Sequence, residues 1–241
     1  MLELTELSVG YGKKVLLRDI DFKTDEGELV ALVGRNGCGK STLLRVIAGL
    51  AGPMSGHVLA SGRDMRLLSR KEAARTVSLV NTERLRIPGL TCTEIVSMGR
   101  APWTGWTGRL GDKDKKIIAQ ALETVGMTEF SGRTMDKMSD GECQKIMIAR
   151  ALAQDTPVML LDEPTAFLDI PGKYQITSIL KKLTAGTGKT VIFSTHDIGI
   201  ALKTADRIMI AGDAGKITVA SGDSALIETA KAFGLECGGM I

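Results

Sequence analysis

The residues Gly34-Arg35-Asn36-Gly37-Cys38-Gly39-Lys40-Ser41-Thr42 match the pattern G-x-x-x-x-G-K-[ST] without a mismatch. Each residue type suits a triphosphate. The glycines let successive backbone N–H groups curl around phosphate oxygens, Lys40 brings a point charge to the β- and γ-oxygens, and Ser41 offers a hydroxyl to Mg²⁺. A second candidate is Val158-Met159-Leu160-Leu161-Asp162-Glu163-Pro164, an apolar run that ends in two carboxylates. There Asp162 can hold Mg²⁺ through water while Glu163 faces the γ-phosphate. Read alone, the first run is a glycine-rich turn before a helix, and the second is a strand entering a solvated loop. Occurring in this order in one chain, they point to nucleotide chemistry.

The elements needed to position these residues are legible around them. Residues 28–33 form a short apolar run suited to a buried parallel strand, and residues 43–50 continue as an apolar helix whose N-terminus would face the anion. Residues 1–22 alternate apolar and polar over two stretches with the turn Gly10-Tyr11-Gly12-Lys13 between them, as half-buried antiparallel strands do. Further strands are expected at residues 57–60, 77–80, 158–161, 190–194, 207–210 and 216–220. Between the second and third of these stretches the composition shifts, and residues 93–100, 113–125 and 142–154 carry helical spacing. A helical insert over roughly residues 86–153 follows from that pattern.

The bulk composition bounds the class. With 241 residues, 44% hydrophobic content and a net charge of +3, the chain can bury a large core and gives no argument for nucleic acid. No apolar stretch approaches the ~18 residues of a membrane span. The start, MLELTELSVG, lacks the regions of a signal peptide, so any membrane role is expected to come through a partner. Cys38, Cys92, Cys143 and Cys237 lie far apart without a C-x-x-C pair, which argues against a zinc site or disulfide framework and fits a reducing, cytoplasmic compartment.

Met138-Ser139-Asp140-Gly141-Glu142 brings a family into view. The segment is a capping box, with Ser139 and Glu142 placed to satisfy orphan backbone donors at a helix start. It also resembles L-S-G-G-Q, the signature of the ATPase subunits of ATP-binding cassette (ABC) transporters, and the resemblance covers essentially the whole chain. It implies an α/β fold: a P-loop NTPase with a RecA-like core, an antiparallel β subdomain and a helical, signature-containing insert. These would form one domain, with core and β-lobe at about residues 1–85 and 154–241 and the helical subdomain at about 86–153.

The resemblance also implies roles for single residues. ATP and Mg²⁺ would be bound by Gly34, Arg35, Asn36, Gly37, Cys38, Gly39, Lys40, Ser41 and Thr42 of one subunit, facing Ser139, Gly141 and Glu142 of a second copy. A homodimer would thus enclose two ATP sites. Ser41 and Asp162 would serve the metal, and Glu163 and His196 would be catalytic, His196 standing where the family's switch histidine meets the γ-phosphate. Tyr11 resembles the aromatic on which adenine stacks, although a turn tyrosine also packs on its own lobe. Leu168-Asp169 resembles the loop joining the two sites.

Two positions depart from the family pattern. Thr82, preceded by Asn81, stands where a glutamine usually touches Mg²⁺ and senses the transporter. Its hydroxyl is shorter than an amide, so Mg²⁺ is expected on Ser41, the phosphates and waters fixed by Asp162. Coupling would then fall to neighbours such as Glu83 and Arg84 and to the helical insert. Asp140 replaces the first signature glycine, and its carboxylate is expected to turn away from bound phosphate.

Within the family, Met98-Gly99-Arg100-Ala101-Pro102-Trp103 followed by Gly108-Arg109-Leu110 resembles importers of ferric siderophores, haem and cobalamin. Trp103 and Trp106 would either pack the insert or meet the permease. The implied partners are an integral-membrane ABC permease and, indirectly, a substrate-binding protein, with the chain peripheral on the inner face of the plasma membrane and no nucleic acid. The alternatives are a soluble ABC ATPase serving iron–sulfur assembly or nucleic-acid repair, and an exporter subunit.

Overall fold

The computed structural model of the protein describes residues 1–83, 86–222, 224 and 228–229; Arg84 and Cys237 lie outside the described residues. Strands β1 (Leu2–Tyr11) and β2 (Lys14–Lys23) form a hairpin, and β3 (Leu29–Gly34) runs through the phosphate loop into α1 (Lys40–Ile47). Then come β4 (Ser55–Ala60), β5 (Arg63–Asp64), α2 (Arg70–Thr76) and β6 (Val77–Val80). Three helices follow, α3 (Cys92–Ser97), α4 (Asp112–Thr124) and α5 (Asp140–Ala153). The chain returns through β7 (Val158–Leu161), α6 (Ile170–Thr187), β8 (Thr190–Thr195), α7 (Ile198–Thr204), β9 (Arg207–Ala211) and β10 (Ile217–Ala220).

Two sheets organise these elements. The central one has the order β10-β9-β3-β8-β7-β6 and is parallel except for the β9–β10 hairpin; the other is antiparallel, in the order β2-β1-β4-β5. Every residue of β3, β7 and β8 is buried, as expected of parallel strands covered on both faces. Their side chains alternate between two cores. Leu29, Ala31, Val33, Met159, Leu161 and Phe193 join the core shared with α3, α4 and α5, while Val30, Leu32, Leu160 and Ile192 join the one shared with α1 and the antiparallel sheet. The helices carrying the signature segment therefore pack on one face of the sheet, and the phosphate-loop helix packs on the other.

The strands expected from the sequence lie within two residues of the observed boundaries; the short β5 and helices α2, α6 and α7 lie outside those expectations. Helix α2 opens with its own Ser69–Glu72 capping box. Helix α6 buries the stripe Ile176, Leu180 and Leu183, with Asp169 accepting from Gly172 N at 2.9 Å and Pro171 in the first turn. Its polar remainder, rich in Thr, Lys and Gly, masks that stripe. Helix α7 is short and capped by Asp197. Helix α1 begins three residues before the apolar run that signals it, because Lys40, Ser41 and Thr42 form its first turn. Among the described residues, no helix is long and apolar enough to cross a membrane.

Gly99 shows how closely the helices approach. A Cβ there would lie 2.1 Å from Arg150 O, so only glycine lets the 3₁₀ turn Met98–Arg100 rest on α5. Beside it, the buried Arg100 donates to Asp114 Oδ1 and to Ala153 O, both at 2.8 Å.

Candidate nucleotide site

The phosphate loop links the fully buried β3 to α1, and its backbone does the positioning. Gly39, the N-cap of α1, has φ +110 and makes no side-chain cap, so the first N–H groups of the helix are left to an outside acceptor. A side chain at Gly39 would be strained in that backbone region and would press on Leu16 Cβ at 3.0 Å. Lys40 is buried, and its ammonium donates to Gly34 O at 2.8 Å and Arg35 O at 3.3 Å. Ser41 is exposed at the helix start, as are Arg35, Asn36 and Gly37 in the loop; Cys38 is half-buried. Thr42 Oγ1 donates to the Tyr11 hydroxyl at 2.8 Å, which draws the end of β1 over the loop. Tyr11 itself is exposed, so its ring is not packed into the lobe.

The two carboxylates emerge where β7 ends, between the ends of β6 and β8. Asp162 is buried, and Ser194 Oγ donates to its Oδ1 at 2.7 Å. Glu163 reaches the phosphate loop: its Oε1 lies 3.4 Å from Lys40 Nζ, and its Oε2 lies 2.9 Å from His196 Nδ1. A carboxylate only accepts, so this last contact requires the Nδ1 proton. The structure thus brings Lys40, Glu163 and His196 into one cluster beside Asp162.

Ser139, Gly141 and Glu142 lie elsewhere. They line an open cleft of about 400 Å³ with Phe167, Leu168 and Asp169, and none of its walls comes from the phosphate loop. Ser139 caps α5 as its spacing requires: Ser139 N donates to Glu142 Oε2 at 2.7 Å, and Glu142 N donates to Ser139 Oγ at 3.3 Å. The backbone N–H and then the hydroxyl of Ser139 hold the Glu142 carboxyl below its ordinary range. Asp140 pairs with Arg86, whose Nη2 donates to Oδ1 at 2.7 Å.

A model of the ABC transporter family matches residues 17–166, a span that takes in the phosphate loop, the signature segment and the acidic strand end. The chain belongs to that family. It is 41% identical over 87% of its length to 72% of an uncharacterized ABC transporter ATP-binding protein of Methanocaldococcus jannaschii. It is 35% identical over 96% of its length to 86% of the ferric enterobactin transport ATP-binding protein of Escherichia coli. Among solved structures, a dimeric ATP-binding cassette in a post-hydrolysis state with ADP and Pi superimposes with a TM-score of 0.78 at 29% identity, covering 92% of this chain and 98% of that one. This ABC cassette is accordingly an ATP-binding ATPase of the P-loop NTPase fold.

The residues also fit Mg²⁺. Ser41 and Asp162 are hard oxygen donors of the kind this ion takes, and among the described residues no group of three or more His, Cys, Asp and Glu makes an all-protein cage. No role is expected for Ser194 from the sequence, although a hydroxyl at the end of the buried strand β8 signals that a buried partner is needed.

Proposed function

We propose that this cassette is the ATP-hydrolysing, energy-coupling subunit of an importer for metal chelates of the ferric siderophore, haem or cobalamin type. The hydrolytic part rests on Glu163, held between Lys40 and His196 at the mouth of the phosphate loop. There its carboxylate orients the attacking water, His196 meets the γ-phosphate, and Lys40 neutralises the β- and γ-oxygens. Ser41 and Asp162 would hold Mg²⁺, which would offset the negative charge of the reacting phosphates. Tyr11 is assigned to the adenine.

The sandwich homodimer is supported by the separation of the two halves of the site. Ser139, Gly141 and Glu142 of one copy would close on the loop 34–42 of another, since they line a cleft that the subunit's own phosphate loop does not enter. The helical subdomain, about residues 86–153, would carry this half of the site and relay its motion.

Import is supported by the relative named for ferric enterobactin transport and by the tryptophan segment. Trp103 is tied down, its indole donating to Gln154 O at 2.7 Å with Arg75 stacked 4.7 Å over the ring, whereas Trp106 is fully exposed. Trp106 is therefore assigned to a permease surface, and Trp103 to the packing that presents it. The chain would sit on the inner face of the plasma membrane, bound to a permease that receives its solute from a binding protein. Purification from detergent-solubilised membranes tests this: a polytopic membrane protein should co-purify. A soluble partner in its place would overturn the import reading in favour of a non-transport cassette.

A further inference from the structure

The peptide bond joining Asp162 to Glu163 is held at both polar ends by side-chain hydroxyls from the neighbouring strand ends. Its carbonyl, Asp162 O, accepts from Thr82 Oγ1 at 3.0 Å, just beyond β6. Its N–H, on Glu163, donates to Ser194 Oγ at 2.8 Å, on β8. The Ser194 proton is accounted for as well, because a backbone N–H can only donate; Ser194 therefore gives its single proton to Asp162 Oδ1. With β6, β7 and β8 adjacent in the sheet and Asp162 N bonded to Val80 O at 2.8 Å, the acidic pair is braced from both sides.

This bracing falls where the backbone is least at ease. Glu163 has φ +50, the left-handed region, which a non-glycine residue adopts only at a cost in backbone strain. The plane of the preceding peptide decides where the Glu163 side chain leaves the strand end. That side chain must reach Lys40 on one oxygen and His196 on the other. We infer that Thr82 and Ser194 form a hydroxyl clamp on the Asp162–Glu163 peptide and are positioning residues for hydrolysis, acting through Glu163. In this reading Thr82 spends its hydroxyl on the backbone of the acidic pair rather than on the metal. The inference rests on Glu163 being the water-orienting carboxylate.

The test compares Thr82→Val, which keeps the branched shape without the hydroxyl, with Thr82→Ser and Ser194→Ala, each made in the full chain with Glu163 and again with Glu163→Gln. Steady-state ATP hydrolysis and Mg²⁺-dependent nucleotide binding are measured for all. Thr82→Val should lower kcat about tenfold, the order of loss expected from a misplaced catalytic group, with KM and Mg²⁺ dependence within about twofold of the parent. Thr82→Ser should restore most of that loss, and it also answers for any folding defect of the valine variant. Ser194→Ala should lower kcat at least as much and also weaken Mg²⁺-dependent binding, because Asp162 loses its donor. In the Glu163→Gln background, Thr82→Val should change the residual rate less than about twofold, since its effect passes through a carboxylate already removed.

Equal fold losses from Thr82→Val in both backgrounds, or an unchanged kcat, would overturn the clamp. So would a loss of Mg²⁺ affinity as large as that of Ser41→Ala, which would make Thr82 a metal ligand. Normal turnover by Glu163→Gln alone is a different failure and would remove the role assigned to Glu163 itself.

Discussion

Glu163 is held by partners 31 and 33 residues away, Ser194 and His196, whereas Glu142 is held by Ser139, three residues before it. Around Glu163 the chain uses strand ends brought together by the sheet, a buried lysine and a left-handed backbone angle. Around Ser139 it uses a helix start that any short peptide of this spacing could form in part. The first arrangement exists only in the folded sheet. The second is generic, and among the described residues it occurs three times with a hydroxyl cap: Ser69–Glu72, Thr91–Glu94 and Ser139–Glu142 are all capping boxes. The cluster proposed for the chemistry is therefore built from long-range contacts, while the surface proposed to meet a second copy is built from a portable local motif.

The largest effect that could break this contrast is at Glu163. Glu163→Gln keeps the shape and loses the carboxylate, so ATP hydrolysis should fall by about a hundredfold or more while ATP binding persists. An ATP-bound dimer should accumulate, visible as a doubled mass in solution with ATP. Near-normal turnover would take the chemistry away from the long-range cluster, and a monomer would count against the paired surface at Ser139.

A smaller effect separates the three caps. Ser139→Ala should cost about 1 kcal/mol of stability, the usual price of an N-cap serine, with comparable losses for Ser69→Ala and Thr91→Ala. Only Ser139→Ala should also depress ATP hydrolysis, by about tenfold or more, because only that cap is assigned to a second copy's nucleotide. Their shared pH behaviour sharpens the point. Glu72, Glu94 and Glu142 are all held below the ordinary carboxyl value of 4.5 by N–H and hydroxyl bonds from their cap residues. A carboxyl depressed on folding stabilises fully above that value and loses its contribution as pH falls through the lower folded value. The stability gap between parent and each cap variant should therefore be complete near neutral pH and shrink below about 4.5, with Arg63 adding its own hold on Glu72. Thermal denaturation across pH checks this, and equal loss of hydrolysis in all three variants would make Ser139 an ordinary cap.

The same contrast explains what the sequence could reveal. Contacts between near neighbours are printed in it: the Ser139–Glu142 box, the phosphate loop before α1, and the short apolar runs that become β3, β7 and β8. The residues of the acidic cluster were nameable one by one, since Asp162, Glu163 and His196 each end an apolar run. Their mutual bonds were not, because these depend on β6, β7 and β8 lying side by side, which no local spacing states. Thr82 is the plainest instance. From the sequence it is a short side chain in a glutamine's place, and only the sheet brings its hydroxyl to the carbonyl of a residue 80 positions away. Helix α6 was missed for a local reason, its apolar stripe being diluted by Thr, Lys and Gly.

The smallest expected effect uses the thiols as reporters of the two regions. Cys38 sits in the phosphate loop and is half-buried, while Cys143 lies on α5 behind Ser139 and Cys92 on α3, both buried. Burial raises the thiol pKa of Cys92 and Cys143, which disfavours the reactive thiolate. With Cys237 replaced by serine, maleimide should therefore modify Cys38 first, at the start of a helix and beside Lys40. Mg-ATP in the loop should slow that reaction several-fold by covering the thiol, and should leave the slow labelling of Cys143 nearly unchanged in the monomer. Peptide mass mapping after timed labelling reads both sites at once. If Cys38 reacts equally fast with and without Mg-ATP, the nucleotide does not occupy this loop, and the long-range cluster loses the ligand that gives it a purpose.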